Sequence, residues 1–147
     1  MSLWRREALE RFPELRQEIA DVNGVGWVWF ELWYGLFKPA YEKEPPDMEM
    51  VARLYEYAHW CLVHRNIHVR TAVVIDFYEK LPDDNRMRRD MPRWLSQEDF
   101  DILHFAWEYT TKQAFADFRR EFIENKVRIN KEKKWRPAGS STGKGTS

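Results

Sequence analysis

Between Met48 and Leu62 the apolar residues fall three and four positions apart: Met50 or Val51, Leu54, Ala58, Cys61 and Leu62. That spacing gathers them on one side of an α-helix, whereas a strand would scatter them over both faces. The same interval returns at Phe30, Trp33/Tyr34, Phe37 and Tyr41, at Phe100, Leu103 and Ala106/Trp107, and at Phe115, Phe118, Phe122 and Ile123. A chain patterned this way almost throughout predicts an all-α fold.

Punctuation divides the pattern into elements. Ser2 is placed to cap a first helix running to Phe12, and Pro13 suits the first turn of a continuation, PELRQEIADV. Asn23-Gly24-Val25-Gly26 reads as a turn. WVWFELWYGLFKPAY follows as a ring-rich helix that Pro39 should distort near its end. Asp47 after two prolines is a helix cap, and Asn66 reads as a C-terminal turn residue before VRTAVVIDFYEKL. The apolar residues of that last segment cover most of a helix circumference, which predicts a central position. Arg86 to Trp94 forms a short helix disturbed by Pro92, and Ser96 with Asp99 resembles a capping box. The outcome is a compact array of six or seven helices.

With 44% apolar and 33% charged residues in 147, the chain can bury one sizeable core and is not wholly disordered. MSLWRREALERF lacks the apolar run of a leader, and Glu7 and Glu10 do not suit a transit peptide. No apolar run approaches the roughly 18 residues of a membrane span. A single cysteine cannot form an internal disulfide, so a cytoplasmic location is expected. The zero net charge is unevenly distributed. Residues 126–147 hold seven basic residues and one acidic, leaving 17 basic and 23 acidic in 1–125. We therefore expect a globular domain over 1–125 and a basic helix end with a disordered tail over 126–147. Such a tail offers a route to weak nucleic-acid binding, which the acidic body opposes.

HWCLVHRNIH, from His59 to His68, concentrates three of four histidines with the only cysteine. On one unbroken helix Cys61, His64 and His68 would share an arc of about 60°. A metal site needs three or four supported ligands, and neither Cys-x-x-Cys nor His-Glu-x-x-His occurs. The stretch reads as a junction of two helices, with no metal and no cofactor expected.

Three further groups stand out. Arg86, Arg88, Arg89, Arg93 and Trp94 make the densest basic cluster of the body, although Asp83, Asp84 and Asp90 flank it. Glu31 and Asp76 are carboxylates among apolar residues; Lys80, four positions after Asp76, can pair with it on a helix. Trp27, Trp29 and Trp33 point in different directions, so either their helix is sandwiched or one ring is exposed. No acid/base motif or phosphate-binding loop accompanies these residues, so no catalytic residue is assigned.

NIHVRTAVVIDFYEKL resembles the second helix of a HEAT-type repeat, and the resemblance implies that Arg70 ties neighbouring units by hydrogen bonds, with Asp76 or another carboxylate. More broadly, FPEL, the YAHWCL/VRTAVVIDFYEKLP hairpin and RWLSQEDF are similar to an uncharacterised family of small bacterial helical domains, HEAT-like and immunity-type. No second copy of the hairpin recurs at a fixed period, which argues against a long solenoid. The expectation is a non-catalytic protein-binding module, an inhibitor or adaptor for a protein partner of basic character, with no membrane association and homodimerisation left open. Trp29, Trp33, Tyr34, Arg86, Arg88, Arg89, Arg93 and Trp94 are its candidate binding residues, and Arg70, Asp76 and Lys80 its candidate structural ion pairs. The alternative is a small ligand-binding domain or enzyme with an aromatic-lined pocket.

Overall fold

The computed structural model describes residues 1–108 and 112–134, and every regular element among them is helical. In chain order these are α1 (Leu3–Arg11), a 3-10 turn (Pro13–Leu15), α2 (Arg16–Asp21), α3 (Val25–Leu32), a π turn (Trp33–Phe37), α4 (Lys38–Glu42), α5 (Met48–Leu62) and α6 (Ile67–Asp76). A 3-10 stretch (Tyr78–Asp83), α7 (Asn85–Trp94), α8 (Gln97–Ile102), a second 3-10 stretch (Leu103–Ala106) and α9 (Lys112–Lys134) complete the described residues. The all-α array is as expected. Its segments exceed six or seven because short 3-10 and π turns subdivide the longer apolar patterns.

Local chemistry explains most boundaries. Asp47 accepts from the Met50 amide, Asp84 from that of Met87, and Ser96 from that of Asp99, each satisfying an amide that a helix N-terminus leaves free. Ser2 precedes α1 in extended backbone, but its hydroxyl makes no capping bond. Asn66 starts α6 rather than ending α5: its side chain accepts from the His68 amide at 2.8 Å. Pro39 acts one turn earlier than a simple kink would. It has no N–H for the Gly35 carbonyl, and the Lys38 amide reaches back five residues to Trp33, so the rod widens into the π turn. Pro92 lies inside α7 and is buried.

Phe77 is the centre of the core. It sits where α6 breaks into 3-10 geometry, with its ring 5.0 Å from Trp29, 5.9 Å from Trp33, 5.0 Å from Phe37 and 5.2 Å from Tyr55. A second cluster joins α8 to α9 through Phe100, whose ring lies 4.1 Å from Phe122 and 5.0 Å from Trp107. Around these centres α3 packs on α6, α5 on α6 and α7 on α9. Gly26 permits the first of these approaches, since a Cβ there would stand 3.2 Å from Asp76 Oδ2.

The boundary expected at residue 125 falls inside α9, and packing continues across it. Ile129 is fully buried, and Lys126 donates to the carbonyls of Pro92 and Leu95 at 2.9 and 2.8 Å. The rest of the expected tail, residues 135–147, lies outside the described residues.

Candidate functional site

The histidine-rich stretch builds a turn. Residue 63 ends α5 and residue 66 begins α6; between them the Asn66 amide donates to His64 Nδ1 at 3.0 Å. Arg70 reaches back from α6 and donates to the carbonyls of His64 and Arg65, both at 2.9 Å. It makes no ion pair with Asp76; its hydrogen bonds tie the two helices of one hairpin. The Trp60 and His64 rings pack at 4.9 Å, while His59 Nε2 stands 3.8 Å from Asp99. Cys61 is buried under the turn, and burial pushes its thiol up to about 12, which suppresses thiolate reactivity. Cys61, His64 and His68 do not converge, and among the described residues no group of three or more His, Cys, Asp or Glu could hold a metal ion.

Burial divides the expected partner-binding residues. Trp29 and Trp33 are 0% and 7% exposed, so they belong to the core and offer no surface. Their helix is sandwiched on that side, and the rings left outside are Trp27, Phe30 and Tyr34, in contact along the rod with centroids 5.5 and 4.9 Å apart. Lys80 lies over Trp33 and Tyr34, 5.2 and 5.5 Å from the ring centroids. No Asp76–Lys80 contact reaches ion-pair distance; Lys80 acts on Asp76 only as a nearby charge, opposing the burial that raises its carboxyl.

Arg93 and Trp94 are held within the fold. Asp90, from α7, accepts from Tyr41 at 2.6 Å, Arg93 Nε at 2.9 Å and Trp94 Nε1 at 3.0 Å. Burial first, then the Asp90 charge, raises the Tyr41 phenol far above its usual range. Arg88 bonds Glu121, Pro82 and Asn85. Arg86 and Arg89 remain exposed. Two of its four arginines, Arg88 and Arg93, are therefore consumed in holding α7 to α9, while Asp90 holds it to α4.

The surface that sequence reasoning missed lies beside the turn. Val63, Ile67, Ile75, Ile102 and Phe105 are 49–66% exposed, and all five line one groove of about 520 Å³. α6 supplies one wall through Ile67, Thr71, Val74 and Ile75, with Leu62 and Val63 at its head; Ile102, Phe105 and Ala106 supply the other. The signal was present in NIHVRTAVVIDFYEKL, whose apolar residues exceed one helix face. Tertiary packing buries Val69, Val73 and Phe77 and leaves Ile67 and Ile75 outside. A second cleft of about 640 Å³ runs along α5, lined by Tyr55, Glu56, His59, Trp60 and Val63 with Arg11, Tyr78, Trp94, Leu95 and Asp99. Tyr55, in its wall, keeps its hydroxyl buried and without a hydrogen-bond partner.

Among the described residues no helix is long and apolar enough to cross a membrane. Comparisons with curated proteins and with solved structures returned no match. The family model described as Domain of unknown function (DUF7674) matches residues 5–103, which contain the α5–α6 hairpin, α7 and α8, and the chain belongs to that family.

Proposed function

We propose that this protein is a non-catalytic protein-binding module that holds an apolar helix of a partner in the groove between α6 and the 97–106 segment. The observation that carries the reading is the gathering of five exposed large apolar residues along one groove. Exposing them to water is unfavourable unless something covers them, and such a patch on a folded chain marks an interaction surface. A trench between helices suits an amphipathic helix, which would present apolar residues every three or four positions to Ile67, Ile75, Ile102 and Phe105. The acidic excess of the body would steer a basic partner toward it. Within this reading the molecule acts as an immunity-like inhibitor or an adaptor in the bacterial cytoplasm, with the HEAT-like α5–α6 hairpin as its rigid base.

The test is capture from native-cell lysate with the wild-type chain and with Ile75→Asp and Phe105→Asp variants, each confirmed folded by its helical circular dichroism. A protein held stoichiometrically by the wild type and lost from both variants supports the groove. Equal capture by all three overturns it.

The second reading is a small-ligand site in the aromatic-lined cleft, favoured by the rings of Tyr55, Trp60 and Trp94 along its wall. Native mass spectrometry after gentle purification tests it: a stoichiometric adduct lost in Trp94→Ala would displace the protein-binding reading, and bare protein mass would remove the alternative.

A further inference from the structure

The groove does not end at the turn. Val63 and Asp99 line both the apolar groove and the cleft along α5, so the two meet there and form one trench. Its two parts differ in chemistry. The α6 part is walled by aliphatic side chains and Phe105. The α5 part carries Glu56, His59 and Asp99 beside the half-buried rings of Trp60 and Trp94. At 1.5 Å per helical residue, the walls from Ile67 to Ile75 and from Ala52 to Val63 extend about 12 and 16 Å. Each is long enough to contact two to three turns of a bound helix.

The charges along the trench are unbalanced. Its arginines are already engaged: Arg11 pairs with Glu7 at 3.0 Å, and Arg70, still charged, is held against two backbone carbonyls of the turn. Its carboxylates are not. Among the described residues, Glu56 and Glu79 have no Lys or Arg within ion-pair distance, and Asp99 has only His59 at 3.8 Å. Glu56 is exposed on α5, Asp99 stands where the parts meet, and Glu79 stands at the far rim of the apolar part.

Resting on the protein-binding reading above, we infer that the trench takes a basic amphipathic helix of another protein. The helix seats an apolar stripe against Ile67, Ile75 and Phe105 and sets lysines or arginines against Glu79, Asp99 and Glu56. Carboxylates on a half-apolar wall attract such cations more strongly than fully solvated ones, and the exposed edges of Trp60 and Trp94 add aromatic surface for the aliphatic stems. A Leu/Glu helix would meet the same apolar wall and be repelled at three positions.

The probes are two fluorescein-labelled synthetic peptides of about 14 residues, roughly 20 Å as helices, one built from leucine and lysine and the other from leucine and glutamate at identical spacing. Binding to the full chain is followed by fluorescence anisotropy. The Leu/Lys peptide should bind, weaken with added salt, lose about tenfold in affinity in Glu56→Lys and in Glu79→Lys, and lose measurable binding in Ile75→Asp. Glu18→Lys, an exposed substitution on α2, should leave affinity unchanged. Equal weakening by Glu18→Lys would reduce the attraction to overall charge and overturn the site. Equal binding of both peptides with loss in Ile75→Asp would overturn the basic partner while leaving the groove. Failure of both peptides to bind would overturn both readings.

Discussion

Replacing Asp90 with alanine removes the acceptor on which three elements converge. Its carboxylate takes hydrogen bonds from Tyr41 on α4 and from Arg93 and Trp94 on α7, and Arg93 in turn lies 3.5 Å from Glu132 on α9. Bonds to a charged acceptor contribute about 1.5–3 kcal/mol each where water cannot substitute. Arg93 retains Glu132 and is about a third exposed, so its share falls to about 0.5 kcal/mol. Trp94 is half-buried, and water replaces part of its bond. Tyr41 is 3% exposed, and its hydroxyl would be left without a partner in the core. The total is about 3–4 kcal/mol, on the order of 10 °C in the thermal midpoint for a chain of this size. Urea unfolding followed by tryptophan fluorescence would read it as a lower midpoint at unchanged slope. Two controls isolate the cause. Asp90→Asn keeps an oxygen for Tyr41 and should cost about half as much. Tyr41→Phe should cost little further in the Asp90→Ala background, because the orphaned hydroxyl is then gone. A loss under about 1 kcal/mol for Asp90→Ala, or additive effects of the two substitutions, would refute the assignment and return Arg93 to the surface as a candidate partner contact.

Other consequences can be checked with the same purified protein. Burial raises the Asp76 carboxyl, so the folded state holds its proton more tightly than the unfolded state and this residue's contribution to stability declines as pH rises through that range. Asp76→Asn should therefore melt higher than wild type at pH 7, with the gap closing below about pH 3; a lower melting point at pH 7 would mean that the first turn of α3 stabilises the charge instead. Ile129→Ala should cost about 2–4 kcal/mol by opening a cavity, whereas a chemical-denaturation midpoint indistinguishable from wild type would show that α9 beyond residue 125 is not part of the packed body. Native Cys61 should resist iodoacetamide at pH 8 and label rapidly in urea, as its burial and raised thiol require; fast labelling of folded protein would contradict its placement. Arg70→Met should destabilise the α5–α6 turn by about 1–3 kcal/mol and speed amide exchange at residues 66–70; unchanged exchange there would show that its bonds to the His64 and Arg65 carbonyls do not hold the turn.

Local rules written in the chain determined its helical class and many of its element boundaries. Apolar spacing of three and four needs no tertiary information to specify helix, and Asp47 and Ser96 cap because a short oxygen-bearing side chain beside free amides is a local arrangement. The reading of His59 to His68 as a turn rested on equally local grounds, the break at Arg65-Asn66, although the side on which Asn66 would act was misjudged. What the helices do with surplus apolar residues is not local. NIHVRTAVVIDFYEKL and WVWFELWYGLF carry more rings and aliphatic groups than one face can bury, and only the arrangement of neighbours decided that Trp29, Trp33 and Phe77 go inside while Trp27, Tyr34, Ile67 and Ile75 stay out. The same holds for charge. RMRRDMPRW is a basic cluster in sequence, yet Asp90 within it pairs with Arg93, and Glu121 and Glu132 reach Arg88 and Arg93 from α9, so half of its arginines are neutralised in the fold. Periodicity assigns a residue to a face of its helix; only the packed neighbours decide whether that face meets protein or water.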